Sequence, residues 1–203
     1  MTSAIAHAGR ERKAGARHSA SRRRRRRLLA AVGLTAQLTL VLTACSEPEE
    51  ARSFTVPSDL CGTPTPSSTL DGVLPETGEN LTTRAASREV GRTHCEVIVD
   101  GKLAVSAFSE WKKGDSLTKV ARSNPFVSLD EYTSADGTYA WSNRGGVRIV
   151  PCPVAEKEHP ERDLFVRVLI YDKEFENSDA AKRLLLDYAE AVAESSACTG
   201  SAS

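Results

Sequence analysis

The sequence predicts an α+β fold, an antiparallel sheet with one face covered by a long C-terminal helix, plus short helices. Three observations carry this. Two runs rich in Val, Ile and aromatic residues, Thr93 to Val99 and Lys102 to Trp111, are separated by Asp100-Gly101, the dipeptide of a type I′ hairpin turn. Leu164 to Tyr171 (Leu-Phe-Val-Arg-Val-Leu-Ile-Tyr) is the most strand-like run in the chain and reads as a central strand. Ala181, Leu184, Leu185, Tyr188, Ala191 and Val192 recur at helical spacing, one apolar stripe on a helix of about five turns.

Taken in order, Phe54 to Pro66 holds Pro57, Pro64, Pro66 and Cys61-Gly62 and reads as ordered loop. Ser67 to Leu74 suits one helical turn capped by Ser67 or Ser68. Along the first hairpin arm Cys95, Val97 and Val99 alternate with Glu96, Ile98 and Asp100, which implies one buried face. Asp115 or Ser116 caps a short helix, Leu117 to Ser123, ended by Asn124-Pro125. Phe126 to Asp136 is mixed in character, and Asp136-Gly137 marks a turn. Tyr139 to Ser142 and Val147 to Val150 read as short strands around an Asn143-Arg144-Gly145-Gly146 turn. Pro151 and Pro153 bracket Cys152, so the strand ends there or runs at an edge. Val154 to Arg162 is a charged surface loop, and Asn177-Ser178 opens the last helix, with Lys182, Arg183, Asp187, Glu190 and Glu194 on its polar side.

The segment before this domain has a different character. Six consecutive arginines, Arg22 to Arg27, abut an apolar stretch from Leu28 to Leu42. A charged region, an apolar region and small residues before a cleavage point make a secretory signal peptide. The apolar stretch falls short of the ~20 residues of a membrane span. Residues 1–44 are therefore expected to be removed, and Arg25-Arg26-Arg27-Leu28-Leu29 leaves the general and twin-arginine routes both open. Leu42-Thr43-Ala44-Cys45 resembles the lipobox of bacterial lipoproteins. The resemblance implies lipidation of Cys45, which becomes the new N-terminus, followed by a polar tether through Ser53 and one domain over 54–203. The expected location is the cell membrane, lipid-anchored and facing outside the cytoplasm. Two or more acyl chains suffice for such an anchor.

The formal charge balance of zero joins two unlike parts. Residues 1–44 carry ten Lys and Arg against one acid, Glu11, which leaves 17 basic and 26 acidic residues and a net charge of −9 after cleavage. An acidic domain lacks the basic footprint of nucleic-acid binding. Attachment to the membrane is accordingly expected through the lipid and not through basic side chains.

With Cys45 lipidated, Cys61, Cys95, Cys152 and Cys198 remain, an even number in an oxidising compartment. Four cysteines allow three pairings. Cys95 with Cys152 and Cys61 with Cys198 is the favoured set. Cys95 and Cys152 sit in strand-like runs that could face each other across a sheet, while Cys61 opens the domain and Cys198 ends a helix.

Val56-Pro57-Ser58-Asp59-Leu60-Cys61-Gly62-Thr63-Pro64, the Cys95 to Lys102 hairpin arm, Tyr139-Ala140-Trp141 and the Tyr188 to Val192 ending with Cys198 resemble small secreted lipoproteins of actinobacteria of unknown function. These motifs are structural, and no catalytic residue is implied by them. Asn80-Leu81-Thr82 matches a glycosylation sequon, read as coincidence in a bacterial lipoprotein.

No phosphate loop, G-x-S-x-G or H-E-x-x-H occurs, and no catalytic residue, cofactor or metal site is expected. His94 beside Cys95 does not make a nucleophilic pair, because adjacent strand residues point to opposite faces. His159 with Glu156, Glu158, Glu161 and Asp163 could hold a cation, but a solvated acidic loop is the simpler reading. Trp111 and Trp141 suit either a ligand cleft or the edge of the core. The expectation is a non-catalytic binding or interaction module of the cell envelope that docks an envelope protein, wall polymer or small ligand. Two alternatives remain. One is an envelope hydrolase with an unrecognised carboxylate site, and the other is a structural envelope component.

Overall fold

The computed structural model describes residues 51–86, 92–124, 127–153 and 159–199. Residues Ser46–Ser203 form one compact unit. The expected signal segment and the expected lipidation site, Cys45, lie outside the described residues, as does most of the expected tether. Its last residues already belong to the domain: Ala51 bridges Thr77, Arg52 donates its amide to the Glu76 carbonyl, and Ser53 donates to Gly78.

Among the described residues, the elements follow in the order β1 (Asp59–Leu60), β2 (Thr63–Pro64), α1 (Ser67–Asp71), β3 (Leu81–Ala85), β4 (Arg92–Val99), β5 (Lys102–Lys113), α2 (Leu117–Ala121), β6 (Tyr132–Thr133), β7 (Tyr139–Ser142), β8 (Gly145–Val150), β9 (Arg162–Ile170), α3 (Ser178–Glu194) and α4 (Ser196–Thr199). β1 and β2 pair with each other, and the other seven strands form an antiparallel sheet in the order β3-β4-β5-β9-β8-β7-β6. The chain is α+β, as its sequence predicts.

The Asp100-Gly101 turn joins β4 to β5 with φ of 47° and 75° at its two residues, the pair of positive angles that a type I′ turn requires. Cys95, Val97 and Val99 are buried while His94, Glu96 and Ile98 are half-buried, so the alternation in sequence is an alternation in space. β9 occupies the middle of the seven strands, and Leu164 to Ile170 are buried on both faces. A strand covered on both sides has no reason to alternate.

α3 lies across one face. Asn177 accepts a hydrogen bond from the Ala180 amide as its cap, and Ala181, Leu184, Leu185, Tyr188 and Val192 are buried against the sheet and α1. Ala189, not Ala191, completes the stripe. The opposite face carries a second, smaller core, in which Leu117, Val120 and Ala121 of α2 and the following Val127 and Leu129 cover Phe108, Phe165, Leu169, Val147 and Ala140. Ser116 caps α2 by accepting the Lys119 amide.

Several local expectations differ. α1 is preceded by Pro66 without a side-chain cap, because the Ser67 hydroxyl donates instead to the Pro57 carbonyl. The loop before α1 folds into a small ladder, whose turn places Cys61 at φ 51° and Gly62 at φ 89°. Gly145 and Gly146 belong to β8 and not to the turn, which is Asn143-Arg144 alone. β8 packs under α3, and a methyl group at Gly146 would come within 2.6 Å of Leu185 Cδ2 and 2.9 Å of the Ala140 carbonyl oxygen. β3 is an element the sequence pattern does not announce.

The disulfides pair Cys61 with Cys95 and Cys152 with Cys198, at Cα separations of 5.7 and 4.8 Å. The expected Cys95–Cys152 and Cys61–Cys198 pairs are therefore incorrect. Cys95 lies on β4 and Cys152 follows β8, and β5 and β9 intervene between those strands. Three inter-strand steps of about 4.8 Å put them roughly 14 Å apart, whereas bridged Cα atoms lie within about 7 Å. The observed bridges are local in space. One pins the β1–β2 turn onto β4, and the other pins the end of β8 to α4.

Candidate binding cleft and the polar face of the sheet

An open cleft of about 320 Å³ lies at the tip of the β4–β5 hairpin. Its apolar walls come from Val73 and Pro75, which follow α1, together with Val99 and Leu103 from the two hairpin arms. Lys102, Tyr171 and Asp172 supply polar groups, and Tyr171 is one of two large hydrophobic side chains that stand exposed among the described residues. Asp100 also lines the cleft, but its carboxylate accepts the amides of Glu79 and Asn80 at 2.8–3.2 Å. The Asn80 amide bond first, and then that of Glu79, holds the Asp100 carboxyl below its ordinary range. That residue shapes the cleft wall and is already engaged. The polar lining of the cleft is the Lys102 ammonium, Thr77, the Tyr171 phenol, which accepts from Ser106 Oγ at 3.5 Å, and the Asp172 carboxylate, which accepts the Glu174 amide at 2.9 Å. Polar groups around an apolar floor match the general character of small-ligand sites.

A second concentration of chemistry occupies the sheet face opposite α3. Register puts Arg84 opposite Glu96, His94 opposite Phe108, Arg92 opposite Glu110, and Phe108 opposite Arg167. These side chains share one face. The Arg84 guanidinium bonds Glu96 through Nε and Nη2. Glu110 meets Lys112 at 3.3 Å, Arg167 at 3.6 Å and Arg92 at 3.9 Å, and the Arg167 Nη1 donates to Ser123 Oγ at 2.8 Å. The His94 ring stacks on Phe108 with centroids 4.1 Å apart, and the Arg92 and Arg167 guanidinium carbons lie 5.2 and 4.8 Å from the Phe108 centroid. Burial is the main reason the His94 pKa falls below 6.5; Glu96 opposes the fall, and Arg92, Arg167 and Arg84 reinforce it.

Two carboxylates lie on this face, Glu96 on β4 opposite Ser106 and Glu110 four positions further along β5, so the register does not set them side by side. Glu96 and Glu110 are each held against guanidinium groups, Glu96 by Arg84 and Glu110 by Arg92 and Arg167. Three buried atoms on this face, His94 Nε2, Glu110 Oε1 and Arg167 Nε, lack a hydrogen-bond partner, and the ion pairs near them are spaced at 3.6–3.7 Å, the separation at which water commonly bridges.

The residues weighed from sequence fall elsewhere. Cys95 and His94 face opposite sides of β4, with Cys95 bonded to Cys61. His159 stacks on Trp111 with centroids 4.1 Å apart, and Glu161 pairs with Lys113 at 2.5 Å. Glu156 and Glu158 lie outside the described residues. Among the described residues no group of three or more His, Cys, Asp and Glu is arranged to hold a metal ion, and no helix is long and apolar enough to cross a membrane. Trp111 packs at the edge of the main core. Trp141 stacks with Tyr132 and meets Tyr139 at a tilt, both at 5.4 Å between centroids. Sequence reasoning missed Tyr171, whose only signal is an aromatic residue at the end of an otherwise aliphatic strand run.

No protein family, curated protein or solved structure matches the chain.

Proposed function

We propose that this protein is a lipid-anchored extracytoplasmic lipoprotein whose domain is a non-catalytic binding module of the cell envelope. The lipobox-like Leu42-Thr43-Ala44-Cys45 behind an arginine-rich apolar leader supports the anchor. The single observation that carries the binding reading is the cleft at the β4–β5 tip. It joins an apolar floor to the polar groups of Lys102, Thr77, Tyr171 and Asp172, and it is framed by a hairpin whose type I′ turn and Asp100 bonds hold its shape. Two disulfides add about 4 kcal/mol each in the chain-entropy model, for closed loops of 34 and 46 residues. They suit a module that must stay folded outside the cytoplasm.

Two experiments test the two halves of the proposal. Cells expressing Cys45→Ala and the parent are labelled with a lipid precursor and fractionated. Labelling and membrane retention should be lost in the variant, and their persistence would overturn the anchor. The domain from Ser46 is screened by ligand-observed NMR against fragments, with Leu103→Arg as the cleft-blocked control. Binding that ignores Leu103→Arg would remove the cleft from the proposal.

A further inference from the structure

The two edges of the sheet are built differently. β6, at one end, is only two residues long, and shortness is one of the ways in which proteins disarm an edge strand. β3, at the other end, runs for five residues, Leu81-Thr82-Thr83-Arg84-Ala85, of which all but Leu81 are exposed. It holds no proline and no lysine, and its register with β4 is continuous. Its one charged residue, Arg84, is bound to Glu96 within the same sheet, so neither a proline, a bulge nor an uncompensated charge guards this edge.

The direction of its backbone groups follows from two bonds. Ala86 donates its amide to His94, and Asp100 donates its amide to Asn80. Antiparallel partners alternate between hydrogen-bonded and non-hydrogen-bonded pairs, so Asn80, Thr82, Arg84 and Ala86 turn their backbone groups toward β4. Leu81, Thr83 and Ala85 turn theirs outward.

We infer that the chain pairs with a second copy of itself along β3, two such strands running antiparallel about Thr83 to make one continuous sheet from two. The register is self-complementary. Thr83 faces Thr83 of the other copy, Leu81 faces Ala85, and Thr82 faces Arg84. Each of the three outward pairs exchanges two N–H···O bonds, roughly six in total. The two Arg84 side chains lie on a diagonal and not opposite each other, and each is already neutralised by Glu96 within its own sheet. An isologous contact of this kind closes on itself and leaves no further edge of the same sort. It goes beyond the cleft and does not depend on it.

The test uses the chain from Ser46, which forms a compact unit with its own core. Sedimentation equilibrium should show a monomer–dimer equilibrium that shifts with concentration. Thr83→Pro removes an outward N–H that β4 does not use, a position where an edge strand accepts proline. It should weaken the dimer at least tenfold while far-UV circular dichroism stays unchanged. Thr83→Cys should form a covalent dimer on mild oxidation, because directly opposed residues of a hydrogen-bonded pair have Cα atoms about 5.5 Å apart, within the disulfide range. Thr82→Cys should not, since its counterpart is offset by two residues. A chain that stays monomeric into the millimolar range overturns the inference, as does a dimer that cross-links equally through either cysteine. If Thr83→Pro unfolds, the contrast between the two cysteine variants decides alone.

Discussion

The Lys182 ammonium stands 4.4 Å from the centroid of the Trp141 ring and 5.5 Å from that of Tyr139. Position on the helical wheel assigns Lys182 to the polar side of α3, in water. In the structure it is half-buried, because α3 crosses β8 and β7 closely enough for a long side chain to reach over the aromatic rings of β7. A cation over an indole face is worth about 0.5–1 kcal/mol at a partly exposed site. Lys182→Ala should therefore destabilise the domain by about that amount, and Lys182→Met, which keeps the apolar stem, should recover part of it. Urea denaturation of the two variants checks this, and equal stability of parent and Lys182→Ala would show the contact to be idle.

Leu185 of α3 packs directly over Gly146 of β8, leaving no room there for a side chain. Leu185 is fully buried, and Leu185→Ala should cost about 2–5 kcal/mol as a transfer term plus a cavity. Gly146→Ala forces a methyl group against both Leu185 and the Ala140 carbonyl, and overpacking of this kind costs about 1–3 kcal/mol. In the double variant the smaller residue 185 leaves room for the new methyl, so its loss should be less than the sum. Strict additivity in a double-mutant cycle would deny the contact.

Non-reducing peptide mapping should recover Cys61 with Cys95 and Cys152 with Cys198. Recovery of a Cys95–Cys152 peptide would require β4 and β8 to be neighbours, contrary to the strand order.

His94 gives the stability a pH dependence whose sign is set by burial. Its pKa in the folded chain lies below 6.5, so the unfolded chain takes up the proton first. The contribution is complete above pH ~6.5 and is lost as pH falls through that value toward the folded pKa, with a slope of at most about 1.4 kcal/mol per pH unit. His94→Gln should flatten the stability profile in that window, measured by urea midpoints from pH 7.5 to 5. A profile unchanged by the substitution would place the acid sensitivity elsewhere.

Local chemistry made part of this fold legible from the sequence. Asp100-Gly101 needs only two neighbouring backbone angles to define a hairpin. The alternation of Cys95, Val97 and Val99 and the stripe of α3 are each a period along a single segment. A run such as Leu164 to Ile170 reveals burial on both faces without any knowledge of what covers them.

The order of strands was decided by the tertiary structure, and most of what the sequence misled about follows from it. Placing β9 between β5 and β8 separates Cys95 from Cys152 and turns each toward a nearer cysteine. It gathers Arg167, Glu110, Arg92 and His94, which lie up to 75 positions apart in sequence, onto one face. It lays β8 under α3, so that Gly146, which reads as part of a turn, serves as the floor of a helix contact. Periodicity along the chain reports which side of an element is buried. It carries no term for which element lies beside it, because that choice is made by non-local hydrogen bonds and by packing between segments far apart in sequence.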